Sequence, residues 1–442
     1  MVQKIKKIII ENIKNVEHGE ISFVEKGQFL NVMGIYGQNG SGKTTLIDVL
    51  EIVQDLILGR TIKNKVSGMM EVNKIAQITV ITEILDEREN TYYFELEKSI
   101  DNYENPITNV ICEKLLTKLN KKYSQQRQIL SFDSNSQDIV VANTNEVIAS
   151  IDALSIIKDV SSDKRMSYLF NSNFKKLIDS SDRLKEQKVI LDHFRSFAKN
   201  IRVYTSEYSG LIAANIMTPV GMHYQDDNMN LDGVIPFQMQ ERGGFIPQNL
   251  VEVYKTVIKQ INLLLPEIIP GLKLDIIERE VRLGQNGVDE VRLEFIANRD
   301  NKRFSLQYES DGIKKIIGLI LFLVEVYNNP SIIAAIDEFD SDIFEYLLGE
   351  LVDVMSTGAK GQLIFTSHNL RVLEMLPKNK IIFSTANSKN RYICMKGVKR
   401  TNNLRDFYIR AIQLGGQDED LYEGQSSNKI RMALIKAGDR LG

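Results

Sequence analysis

Residues 37–44 read GQNGSGKT, the spacing G-x4-G-K-T in which successive backbone N–H groups turn inward around a phosphate. The residues before it, 29–36, form a short β-rich run. After it, Leu46, Leu50, Val53 and Ile57 recur at helical spacing, with Ile47 and Val49 beside them. Strand, glycine loop and helix in that order is the context such a loop requires, because the helix presents its positive N-terminus to the same anion. The nucleotide-binding set is therefore Gly37, Asn39, Gly40, Ser41, Gly42, Lys43, Thr44 and Thr45. In it Lys43 reaches the β- and γ-phosphates of ATP and the Thr44 hydroxyl ligates Mg²⁺.

The parts that complete an ATPase lie far downstream, from Ser310 onward. Residues 332–336 are an unbroken apolar run ending in Asp337-Glu338, the pattern of a strand buried on both faces that delivers carboxylates at its C-terminal edge. Asp337 is read as the Mg²⁺ carboxylate and Glu338 as the group that orients or deprotonates the attacking water. The bland alternative is an acidic pair capping the next helix. A further strand, 362–367, ends at His368, placed to sense the γ-phosphate. His18, His193 and His223 have no such company and are read as surface or turn residues. Ser310-Asp311-Gly312 opens a long apolar helix over 313–326. It reads either as an ordinary serine cap or as a second anion site facing the nucleotide of a partner chain.

Bulk properties set the frame. The 442 residues exceed one simple core. A formal net charge of -3 advertises no global attraction to nucleic acid. Two cysteines, Cys112 and Cys394, make neither a disulfide framework nor a zinc site. The longest apolar run, 316–324, is too short to cross a bilayer. A cytoplasmic protein without membrane contact is the expectation. Residues 78–85 and 92–96 read as a hairpin. Residues 99–271 read as a mainly helical insertion, with a polar segment at 131–137 and a charge-rich helical stretch at 163–199. An amphipathic helix over 249–265 closes it. The division is 1–98 for the first part of the head, 272–400 for the second, and 401–442 for a helical tail.

The order of loop, Ser-x-Gly helix start, Asp-Glu strand and switch histidine resembles the ABC-type ATPase heads of the SMC and RecF group. Residues 337–342 (DEFDSD) followed by a helix are similar, more narrowly, to the ATPases of OLD-like nucleases and related anti-phage proteins. That resemblance covers about 1–98 and 272–400. It implies an α/β P-loop head assembled from N- and C-terminal segments around the insertion, and catalytic roles for Glu338 and His368. It also implies a homodimer or higher homo-oligomer in which Ser310, Gly312 and Asp340 act in trans on a partner's nucleotide. The signature reads SDG where transporters have SGG, and Phe344 stands where many OLD-like relatives have histidine. Too few residues follow His368 for the Toprim domain of full-length OLD nucleases.

The function implied is an ATP-hydrolysing sensor or scaffold of a bacterial anti-phage system. It would act with a separately encoded effector, a nuclease, and answer to DNA or a phage protein. By size and domain content the chain looks like the ATPase subunits of the PARIS and Septu systems. The alternative is a RecF-like DNA repair ATPase that closes on duplex DNA as an ATP-dependent dimer.

Overall fold

The computed structural model describes residues 2–100, 103–135, 138–141, 165–225, 229–239, 243–284, 287–300, 302–397, 403–422 and 427–438. The strand before the glycine loop, Val32–Tyr36, lies inside a six-stranded sheet. On one side it pairs in parallel with Gln362–Thr366, Thr366 opposite Ile35. On the other it pairs in parallel with Ile381–Ser384. Ile333–Ile336 follows beyond Gln362–Thr366, Ile336 opposite Phe365. This strand order brings the sequence-distant halves of the head together: the carboxylate strand ends one strand away from the loop.

All four of these strands are buried throughout, as strands covered on both faces must be. Alternate residues feed two cores. Met33, Ile35, Ile333, Ala335 and Ile364 face the helix after the loop, Lys43–Ile57, and its Leu46, Leu50 and Val53. Val32, Tyr36, Ala334, Ile336 and Phe365 join the core of the apolar helix Asp311–Asn328. The N-terminal strands Gln3–Ile13 and Val16–Ser22 belong to a separate seven-stranded antiparallel sheet that also holds the hairpin Ile75–Ile84 and Arg88–Ile100. Gln362 stitches the two sheets together. Its amide accepts from Ile5 N (2.7 Å) and donates to Ile5 O (3.0 Å), side chain standing in for strand.

The structure corrects the reading of 99–271 as mainly helical. Pro106–Leu119, Arg127–Asp133 and Asp138–Val141 extend the antiparallel sheet. Met217–Gln225 and Asn230–Gln238 form a hairpin, and Ile201–Tyr204 is the edge strand of the parallel sheet itself. Helices Ser172–Ser180, Lys185–Lys199, Ser206–Ala213 and Val251–Ile268 lie among them. The strand signal in Pro106–Leu119 is hidden because polar residues point inward there: Asn109, Glu113 and Thr117 are all buried. His193 is likewise buried in its helix rather than at the surface. Parts of the segments 131–137 and 163–199, namely 136–137 and 163–164, lie outside the described residues. Among the described residues no helix is long and apolar enough to cross a membrane.

Glu113 shows how such inward polar groups are accommodated. Its fully buried carboxyl accepts from Ser167 Oγ (2.6 Å), Tyr168 N (2.7 Å), Leu169 N (3.3 Å) and Tyr92 OH (2.5 Å). Glu113→Ala orphans two buried backbone donors, each costing about 1–3 kcal/mol. The variant should unfold at a clearly lower denaturant concentration, with Glu113→Gln losing less. An unchanged midpoint for Glu113→Ala would show that the clamp contributes nothing.

Candidate nucleotide site

The loop turns into its helix at Gly42, whose φ of 90° is left-handed, so the residue that starts Lys43–Ile57 is reached without the strain a side chain would bring. Ser41 Oγ lies within hydrogen-bond reach of Gln38 O (2.6 Å) and Ser384 Oγ, and Ser384 Oγ within reach of Tyr36 O (3.1 Å), so the two hydroxyl protons serve two of these three contacts. Tyr392 OH, fully inside the protein, donates to Gly42 O (2.6 Å). The loop is thus braced by the end of a neighbouring strand and by a tyrosine beyond it. Asn39 and Gly40 stand exposed at its tip, and Thr45 is buried with no partner for its hydroxyl. Lys43 Nζ donates to Gly37 O and Gln38 O, both at 2.9 Å. Burial pushes this ammonium down to about 8, against the pull of Asp337, Asp340 and Glu338.

The structure brings Asp337 and Thr44 into contact. Thr44 Oγ1 donates to Asp337 Oδ1 (3.1 Å), and Thr366 Oγ1 donates to the same oxygen (2.6 Å). The other oxygen, Oδ2, is buried without a hydrogen-bond partner in a residue 1% exposed. A buried carboxylate oxygen left open is costly unless a cation or donor meets it. Beside a threonine hydroxyl, this oxygen set suits a hard divalent cation. The residues present therefore fit Mg²⁺, with Thr44 and Asp337 as its protein partners.

Glu338 is held in the left-handed region, φ 48°, a conformation that costs a side-chain-bearing residue on the order of 1 kcal/mol or more. Two contacts fix it. Glu338 N donates to Thr366 Oγ1 (2.7 Å), and Lys315 Nζ donates to Glu338 O. Lys315, on the helix Asp311–Asn328, is 1% exposed and also donates to Ser341 O (3.3 Å) and Ser341 Oγ. Burial lowers its pKa, while Asp340, Asp342, Glu338 and Asp337 pull the other way. His368 N donates to Asp340 Oδ2 (2.9 Å). Partial burial and the Lys43 charge hold the imidazole below its ordinary range, so the ring is neutral at pH 7.

Ser310 caps the helix Asp311–Asn328, its Oγ accepting from Ile313 N (3.3 Å). Gly312 follows because nothing larger fits: a Cβ there would lie 2.0 Å from the Asp342 carbonyl oxygen. The helix start and the acidic loop 340–342 of one chain are packed backbone against backbone. Sequence reasoning missed Lys315, Thr366, Ser384 and Tyr392. Only Thr366 carried a usable signal, as a hydroxyl two residues before His368.

Residues 4–373 match the family of the AAA ATPase domain. The chain belongs to that family. The ATPase shares 12% identity with the SMC head bound to the C-winged helix domain of ScpA, with 89% of this chain and 97% of that one aligned and a TM-score of 0.41. For the SMC head from Thermotoga maritima the identity is 15%, the coverage 89% and 99%, and the TM-score 0.36. For the recombination mediator protein RecF the values are 14%, 83% and 93%, and 0.34. Comparison with curated proteins gives no significant match.

A phosphate beside Lys43 raises its pKa again, so nucleotide binding above about pH 8 must take up a proton. Affinity of the ATPase for ATP should therefore fall as pH rises from 8 to 10. Calorimetry at pH 9 in buffers of different ionisation enthalpy should report that uptake, and Lys43→Met should lack it. Uptake by the variant equal to the wild type would assign the proton to another group.

Proposed function

We propose that the ATPase hydrolyses ATP with Mg²⁺ at a site shared between two copies of the chain. The observation that carries this reading is the open Oδ2 of Asp337, in a carboxylate whose other oxygen, Oδ1, accepts from the hydroxyls of Thr44 and Thr366. Lys43 and the loop N–H groups bind the phosphates, and Thr44 and Asp337 hold the cation. A Mg²⁺ ion held there would supply positive charge to offset that of the phosphates. Glu338 orients and deprotonates the attacking water, and neutral His368 positions it against the γ-phosphate. The second anion site, Ser310 and Gly312 with Asp340 of the adjoining loop, closes on the nucleotide of the partner copy. The pairing of an N-terminal anion site with an acidic loop, fixed to each other at Gly312, supports this.

In the cell we infer a sensor or scaffold subunit of a bacterial anti-phage system that switches a separate effector, a nuclease, on recognition of DNA or a phage protein. Support comes from the run 337–342 and the helix Glu345–Gly358 behind it, the segment similar to OLD-like and related anti-phage ATPases such as those of PARIS and Septu. Deletion of a neighbouring nuclease gene together with the ATPase, compared with either alone in phage plating assays, tests that step. Equal protection without the nuclease gene would remove it.

Glu338→Gln keeps the side chain's shape and removes its basicity. Turnover should drop about 10²-fold or more, the ordinary worth of a general base, while ATP binding persists. Normal turnover would dismiss Glu338 as the base. Sharing of the site is tested by mixing two inactive chains, Lys43→Ala and Ser310→Arg. Subunit exchange should restore one competent interface per dimer and hence part of the activity. Full activity of Ser310→Arg alone would leave that serine as a helix cap and nothing more.

A further inference from the structure

Away from the nucleotide, three helices leave an apolar groove of about 760 Å³. Its walls are Val251–Ile268, contributing Leu263 and Glu267, and Glu345–Gly358, contributing Glu350 and Val354. The helix Asp311–Asn328 supplies Leu321 and Tyr327 between them. On each wall the lining positions recur three and four residues apart, so one whole helix face is turned into the groove. Leu263 is 82% and Val354 53% exposed, large apolar side chains left to water.

The tail helix Ser427–Gly438 has the opposite defect: none of its residues is buried, and Met432 and Ile435 stand exposed on the side away from Ile430 and Leu434. Ile430, Ala433, Leu434 and Ala437 fall at i, i+3, i+4 and i+7, the anchor spacing of a helix that lies in a groove. Ile430 is 48% and Leu434 69% exposed. Its charges, Lys429, Arg431 and Lys436, are all basic. By helical spacing Lys429 and Lys436 flank the apolar stripe on one side and Arg431 on the other. Glu267 and Glu350 stand on opposite walls of the groove. At 1.5 Å per residue the helix is about 18 Å long.

We propose that the tail helix of a second copy of this chain occupies the groove, with Ile430 and Leu434 seated between Leu263 and Val354 and its basic flanks against Glu267 and Glu350. In its own chain the helix contributes no buried residue while the groove stands open. Exchange of such an element between identical chains is a low-cost route to a dimer. This contact is independent of the nucleotide site, so it stands or falls apart from the catalytic reading.

The test mixes two chains, Leu434→Cys and Val354→Cys, each with Cys394→Ser so that the introduced thiol is accompanied only by the buried Cys112, under mild oxidation without nucleotide. A disulfide between the two chains on a non-reducing gel is the expected result. Reversing the groove charges, Glu267→Lys with Glu350→Lys, should slow cross-linking about fivefold, the effect of roughly 1 kcal/mol of partly exposed ion pairing. No cross-link in the mixture would overturn the proposal. So would a Leu434→Cys, Val354→Cys double variant that oxidises only within one chain, since the occupant would then be the chain's own tail. Removal of 427–442 serves as the second variant: it should turn a nucleotide-free dimer into a monomer in light scattering, and an unchanged mass would count against the exchange.

Discussion

The strand Val32–Tyr36 is hydrogen-bonded on one side to Gln362–Thr366 and on the other to Ile381–Ser384. Everything else in the head depends on that threading. The glycine loop leaves the C-terminal end of this strand; one neighbour supplies Ser384, which braces the loop, and the other supplies Thr366, which holds Asp337. Neither half of the chain can build the site alone. The segment between the halves can nonetheless be long, because the entropy of closing a loop grows only slowly with its length.

That threading also explains how strained chemistry is kept in place. Thr366 reaches two residues with one hydroxyl, donating to Asp337 Oδ1 and accepting from Glu338 N. Lys315 holds the Glu338 carbonyl from the other side, in a pocket where burial alone would favour loss of its charge. A left-handed glutamate survives because surrounding structure over-determines it.

What could be read from the sequence was whatever the backbone dictates locally. The glycine loop, the buried strand before Asp337 and the cap at Ser310 each announce themselves through residue type and spacing, and Thr44 and Asp337 do meet. The edge strand Ile201–Tyr204 could not be read, since only its parallel partner 333–336 makes it a strand. Pro106–Leu119 was obscured because Glu113 faces inward and finds partners far along the chain at 167–169. Lys315 looked like one more charge on a helix. Its role comes from the acidic loop folded over it, a contact with no signature in sequence.

The contact of Gly312 with the Asp342 carbonyl has one more consequence. With no room for even a methyl group between them, and Lys315 bonded across to Ser341, the helix start and the acidic loop behave as a single rigid lever. One arm of that lever continues directly into Glu338, the other into the long helix Asp311–Asn328, which also supplies part of the tail-helix groove. Continuous packing thus runs from the carboxylates beside the glycine loop to a surface on another part of the head.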